Sequence, residues 1–467
     1  MRKILISLGV ILSVNSVVQA NDLTIYVAPR DSEASKNAQA FSDGKLSVTE
    51  RKIHRAFDRA SEHLKQCGQC TVSVKVAGGE YIGKARTGQW AFPDTFAPKS
   101  SLKILGGYTA DFKQRQPFKH PSVLIVPKPR SGTVLRFEGR KHGFNELVLS
   151  GFAIDVAPGN NYDVKTNSLT KGGSSSWPLI SFGYMNINRL VIADNVFMNA
   201  ANGVGAPAVK GMTANAEVVV RNNLFLNNVH NWVVTSANKE LGRYVIEHNS
   251  FIMNWPYNPD TGTSNPGALE IGNRYTAKLV DIKHNLFAYN PGGAIHPQWD
   301  DKQGPPIAFT NNTFFRNGSM FEGSKDREAM VVGKFNGGAQ HALYDPIDVE
   351  DEFSWKSQGN HVADPSVVVP VMKLTAIGDQ AAVQEQAPTE PLATEVSTEE
   401  ADVLAILDEE FESELSLDEF SLDDDFAIDE LAEDGVIKNY APMMPFNRQA
   451  LPLSRVAGAS SELIYKD

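Results

Sequence analysis

Three polar residues each interrupt a short apolar segment: Lys210 in Ala208-Val209-Lys210, Glu270 in Leu269-Glu270-Ile271 and His296 in Ala294-Ile295-His296. A fourth segment, Val233-Val234-Thr235, falls in the same series. With Val209, Leu269, Ile271 and Ile295 turned into a core, the two-residue period of a strand sends Lys210, Glu270 and His296 to the opposite face. An amine, a carboxylate and an imidazole on one face are the groups that move protons. Arg274, Lys239, Asp300 and Asp301 lie just beyond these segments, and Trp232, Trp255, Tyr257 and Trp299 offer flat apolar surfaces for sugar rings. The polar insert around Trp255 is expected to wall this face. The plainer reading is solvated strand surface for Lys210 and Glu270, and a turn-bonding role for His296 before Pro297.

Other reactive arrangements are absent from the sequence. No Walker loop, metalloprotease histidine pair or nucleophile elbow occurs. A glycosidase needs two carboxyl groups facing one bond, and Glu270 with Asp300 or Asp301 is the sole plausible pairing. His230, His248 and His284 each flank an asparagine of the repeat described next and are weaker candidates. Arg189, Arg221 and Lys283 read as a basic stripe.

A repeat must position these groups. Leu190-Val191-Ile192 leads to Asn195 and Phe197, and the phrase returns at Asn223 and Phe225, Asn249 and Phe251, Asn285 and Phe287, and Asn312 and Phe314. The phenylalanine steps are 28, 26, 36 and 27 residues, preceded by a step of 45 from Phe152 as a degenerate first copy. Polar inserts at Gly159 to Ser176 and Trp255 to Pro266 lengthen two of them. The β-branched runs are too short for helices, so each unit is a rung of strands. Stacked in a coiled parallel sheet, rungs place matching residues above one another, giving an asparagine column at a turn and a phenylalanine column inside. A second asparagine series, Asn228, Asn254, Asn290 and Asn317, marks the next bend. Leucine-rich repeats and β-propellers demand other offsets and periods.

With these Asn-x-Phe rungs, the opening Ile25-Tyr26-Val27, the strand-turn phrase Val74 to Gly83, and the closing Asn360 to Pro365, the chain resembles secreted right-handed parallel β-helix proteins of the pectate-lyase-like superfamily. Leu102 to Arg115, with Gly106-Gly107-Tyr108 and Asp111-Phe112, looks like an early segment of bacterial members. The resemblance spans Ile25 to Val369 and implies an all-β solenoid that handles polysaccharide. Lyases of the superfamily neutralise a uronic carboxylate, often with calcium, while Arg or Lys removes the adjacent proton. That would make Lys210 or Arg274 the base, set Glu270, Asp300 and Asp301 around a cation, and leave His296 to position substrate or donate a proton. The sequence departs from the family in lacking the clustered acidic trio of pectate-lyase calcium sites. Parallel β-helices also serve as adhesins and scaffolds without a reaction, which is the competing class.

An open stack must hide its ends. Ser47-Val48-Thr49-Glu50 forms a capping-box pattern before an apolar stripe of Ile53, Ala56, Phe57, Ala60 and Leu64, predicting a cap helix over about 48–66. Cys67-Gly68-Gln69-Cys70 follows. The spacing is also that of a redox pair, but no βαβ context surrounds it and an exported chain favours oxidation, so a structural disulfide is expected. Two cysteines alone are too few for a zinc site.

Export itself is predicted by Arg2 and Lys3 before the apolar Ile4 to Val18, with Val18-Gln19-Ala20 at the cleavage point, making residues 1–20 a signal peptide. Periplasm and extracellular space fit equally well, and no later apolar run is long enough to span a membrane. Residues 21–373 carry a net charge of +6 and residues 374–467 one of −19. The first suits an anionic polysaccharide partner; nucleic acid is not expected of an exported chain without an aromatic-basic motif. Residues 374–398 read as a linker and 399–467 as an acidic tail. Its 399–434 stretch holds 17 acids and no bases, interleaved with Leu404, Phe411 and Phe420. Repulsion favours disorder or a fraying helix there, with an acidic-hydrophobic ligand as the alternative. Asp423, Asp424 and Asp425 lack EF-hand spacing.

Overall fold

The computed structural model describes residues 22–363, apart from intervening stretches of which the longest are 126–133, 171–179, 199–215, 255–267, 298–305 and 319–331, together with residues 436–437. The expected leader at 1–20, linker at 374–398 and acidic run at 399–434 lie outside the described residues. The described residues are mostly β, with long parallel sheets and two helices, Glu33–Ala40 and Ile53–Cys67.

Each repeated phrase becomes two short strands meeting at a corner. The β-branched runs, such as Asn186–Ala193 and Glu217–Arg221, join an 11-stranded sheet, and the phenylalanine runs, such as Val196–Met198 and Leu224–Leu226, join a nine-stranded one. Successive units pair in parallel without slippage: Leu190 faces Val218, Val218 faces Tyr244, Tyr244 faces Val280 and Val280 faces Ile307. Alternation then sends Leu190, Ile192, Val218, Val220, Tyr244 and Ile246 into one continuous core with Phe197, Phe225, Phe251, Phe287 and Phe314. The phenylalanine rings stack, with centroids 5.1, 4.6, 4.9 and 5.3 Å apart along the column. The other face of the second sheet is also apolar and dry, since Met198, Leu224, Leu226, Ile252 and Ala288 are all buried. Parallel sheets are commonly covered on both faces.

The corner is built from two adjacent residues with different tasks. Asp194, Asn222, His248, His284 and Asn311 take left-handed backbone, with φ between 51° and 59°. The residue that turns the chain is therefore the one before each asparagine, whereas the repeat had pointed to the asparagine itself. The turn aims the next side chain inward, where Asn195, Asn223, Asn249, Asn285, Asn312 and Asn360 form a ladder. Asn223 Oδ1 accepts from the backbone N–H and Nδ2 of Asn195, at 3.0 and 3.1 Å, while Asn223 Nδ2 donates to Asn249 Oδ1 at 2.9 Å and to the Ile192 carbonyl at 3.0 Å. One side-chain amide thus uses its two donors and both acceptor sites in a buried place, as burial of polar groups requires. The second series behaves alike: Asn228, Asn254, Asn290 and Asn317 are bonded in sequence after left-handed Asn227, Met253, Tyr289 and Arg316.

The first copy of the phrase differs from expectation. Ile154, not Phe152, stands in register with Phe197, and the Phe152 N–H donates to Asn195 Oδ1 at 3.0 Å, so Phe152 occupies the asparagine position. The corner there is held instead by a buried polar group. Asp194 accepts from Asn222 Nδ2 and Ser150 Oγ, each at 2.8 Å, and from Arg115 Nη1 at 3.2 Å; Arg115 also bonds Ser150 and, through Nε, the Gly106 carbonyl at 2.9 Å.

At the N-terminal end the capping-box expectation is corrected. Ser47–Glu50 is a strand paired in parallel with Leu23–Val27, and the helix starts at Ile53 behind Lys52, which makes no side-chain cap bond. Val48 and Thr49 suit a strand, and pairing them satisfies the edge of Leu23–Val27 directly. The helix buries Ile53, Ala56, Phe57, Ala60 and Leu64, the stripe read from the sequence, against Leu23–Val27 and Thr71–Ala77. Cys67 and Cys70 form the expected disulfide. Among the described residues antiparallel pairing joins Val332–Asn336 to Gln340–Tyr344, and Ser168–Thr170 to Tyr162–Asp163 and Val436–Ile437, with one isolated antiparallel bridge between Tyr108 and Arg115. No helix of the described residues is long and apolar enough to cross a membrane.

Candidate functional site

The third sheet runs in the order Trp232–Val234, Leu269–Ile271, Ile295–Pro297, Val332–Asn336, Gln340–Tyr344. Its strands leave the second corner after Asn228, Asn254 and Asn290, so the asparagine ladder sets their height. Leu269 pairs with Ile295, Glu270 with His296 and Ile271 with Pro297. Leu269, Ile271 and Ile295 belong to the central core. Glu270 and His296 therefore stand side by side on the opposite face, on strands about 4.8 Å apart. His296 lies mid-strand, not in a turn, and Pro297 ends the strand, where its missing N–H is tolerated.

Burial departs from expectation. Glu270 is 1% and His296 2% exposed, so the pair is not the solvated surface that alternation alone suggested. A carboxylate and an imidazole side by side away from water interact more strongly than at an exposed site. Chemically, such a pair can orient a proton donor or hold one proton between two groups.

The register also moves one aromatic. Trp232 pairs with Leu269 and Val233 with Glu270, one residue away from the alignment read from Val233-Val234-Thr235. Trp232 thus shares a register column with the core positions Leu269 and Ile295. Lys210, Lys239, Trp255, Tyr257, Arg274, Trp299, Asp300 and Asp301 lie outside the described residues, as does His230. Calcium takes six to eight oxygen ligands, and at this face the described residues bring one carboxylate beside a nitrogen base. Asp300 and Asp301, the other carboxylates expected around a cation, lie outside the described residues.

The expected basic stripe is instead a pair of columns of alternating sign. Glu146, Arg189, Glu217 and Arg243 follow one another in register on the outer face of the first sheet. Arg189 lies 2.8 Å from Glu146 and 3.1 Å from Glu217, and Arg243 bonds Asp281. Burial opposes the charged form of Arg189, yet its bonds to Glu217 and Glu146 outweigh that and raise its pKa. Alongside, Arg221, Glu247 and Lys283 alternate, with Lys283 3.1 Å from Glu247. Paired charges leave no uniform positive field for a polyanion, which removes this face as the candidate site.

His248 and His284 sit at the left-handed corner positions, their rings stacked with centroids 5.0 Å apart and 5° between planes. Partial burial lowers the His248 pKa, and the neighbouring His284 lowers it further. Both rings serve the corner, as their place beside the ladder asparagines had indicated. The Asp194–Arg115–Ser150 group was missed in the sequence because its members lie 35 to 79 residues apart.

Comparison of the chain with protein-family models, with curated proteins and with solved structures returns no match.

Proposed function

We propose that the protein is an exported right-handed parallel β-helix that binds an anionic polysaccharide along the outer face of its third sheet and cleaves it by β-elimination. The observation that carries this reading is the in-register Glu270–His296 pair on neighbouring strands of that sheet, facing away from the core. In the reaction a base, Lys210 or Arg274, takes the proton beside the uronate carboxylate, the C4–O bond breaks, and the leaving oxygen receives a proton as the C4–C5 double bond forms. His296 is the proton donor and Glu270 holds its imidazole in position. Trp255, Tyr257 and Trp299 supply stacking surfaces for the sugars, and Lys239 a countercharge.

The test is ultraviolet absorbance of the unsaturated uronate during incubation with alginate, pectin and a glycosaminoglycan, alongside a binding measurement on the same panel. Product formation that His296→Ala and Glu270→Gln each lower by tenfold or more supports the reading. The burial of Glu270 and His296 favours a second reading, a non-catalytic adhesin or scaffold in which the pair is a structural polar contact. Retained glycan binding with no unsaturated product selects that one, and loss of both overturns the polysaccharide assignment.

A further inference from the structure

The cap helix ends in a group of ligand atoms that the sequence spacing alone did not connect. His63 and Cys67 are four residues apart on the helix Ile53–Cys67, hence on one face. Gly68, with φ of 70° and open space around its Cα, reverses the chain in a conformation that residues with a side chain rarely adopt, and returns Cys70 to the same spot. One ring nitrogen of His63 and the sulfurs of Cys67 and Cys70 come within 4.8 Å of one another, the one such cluster of three among the described residues. His63 and Cys67 are half-buried and Cys70 is buried, so one side is open to entry from solvent. Ser100 lies behind: its Oγ accepts from the Cys70 N–H at 3.1 Å and stands 3.6 Å from Cys67 Sγ.

Two physical features separate metal binding from redox catalysis here. A reactive thiolate is stabilised at a helix N-terminus, but Cys67 is the last residue of its helix, where the negative end of the dipole opposes a bare thiolate. The same field favours a cation. Two thiolates and one imidazole suit zinc-class ions, with Zn–S near 2.3 Å and Zn–N near 2.0 Å, and a fourth position for water.

We propose that reduction of the Cys67–Cys70 disulfide turns this helix end into a site for one thiophilic divalent cation, held by His63, Cys67 and Cys70. A dithiol reductant supplies two electrons and two protons, is itself oxidised to its disulfide, and leaves two protein thiols. The cation then displaces the two thiol protons and forms two metal–sulfur bonds and one metal–nitrogen bond. Disulfide and metal are mutually exclusive states of one loop, so the bound cation also shields both thiols from reoxidation.

The experiment uses the full chain, reduced with dithiothreitol, freed of reductant without oxygen and titrated with cadmium as the probe. The expected result is a thiolate-to-cadmium charge-transfer band that saturates at one ion per chain and is absent from the oxidised protein. Competition with a chromophoric chelator then measures zinc affinity. His63→Ala keeps both thiols and should weaken zinc by about tenfold or more, while Cys70→Ser should abolish the band. Circular dichroism of the reduced chain separates loss of the site from loss of the helix. No band in a reduced chain that keeps its helix overturns the proposal. So does a helix signal lost on reduction and not restored by zinc, or zinc affinity unchanged in His63→Ala.

Discussion

The corner between the first and second sheets and the face of the third sheet are built on opposite rules. At the corner the units that carry the phrase repeat a left-handed residue followed by an inward asparagine, and each ladder asparagine donates to the asparagine of the next unit. On the third sheet the column Val233, Glu270, His296 changes residue type at each step. Repetition satisfies buried polar groups because identical side chains at one rung spacing are mutual donors and acceptors. Chemistry needs the reverse, unlike groups brought side by side. Stability should therefore be concentrated at the corner, and function on the third sheet.

The largest expected break in that contrast is Phe251→Ala, which empties the middle of the ring stack and should cost about 4 kcal/mol in urea unfolding. Asn249→Ala comes next, at about 3 kcal/mol, because it strands the Asn223 donors and the Val220 carbonyl together. If Asn249→Ala unfolds at the parent urea midpoint, the ladder is not what holds the corner. Glu270→Gln sharpens the comparison from the other side, with about 1 kcal/mol or less in stability against a tenfold or greater loss of glycan cleavage. A large stability loss with unchanged cleavage would reverse the roles given to the two regions.

A pH series probes the corner alone. Because the His248 pKa is lowered on folding, the unfolded chain takes up its proton first as the pH falls through about 6.5, and stability declines from there toward the folded value. Above that range both states are neutral and the residue contributes no slope. His248→Gln should remove this part of the acid sensitivity, measured as the difference in thermal midpoint between pH 7.5 and pH 5.5. The smallest effect belongs to the exposed charge columns: Arg189→Ala should cost about 0.5 kcal/mol, less at high salt.

The stack of parallel strands was legible in the sequence because each unit announces itself locally. Asn223 and Phe225, Asn249 and Phe251, Asn285 and Phe287 keep a two-residue spacing, and parallel in-register pairing converts that spacing into columns. The apolar stripe Ile53 to Leu64 was legible for the same reason, since helical periodicity lies within one segment. Ser47–Glu50 misled because a capping-box pattern is local, whereas the partner that draws it into a sheet, Leu23–Val27, is more than 20 residues away.

What the sequence determined by itself is the repeat, and with it where each unit bends to within one residue, which residues enter the core, and that Glu270 and His296 share one face. Tertiary structure alone decided that Glu270 and His296 are dry, that Arg189, Arg221 and Lys283 are each set among carboxylates, and that His63 meets Cys67 and Cys70. The division has one physical cause. Backbone periodicity dictates which way a side chain points, but burial and pairing depend on what other parts of the chain bring against it.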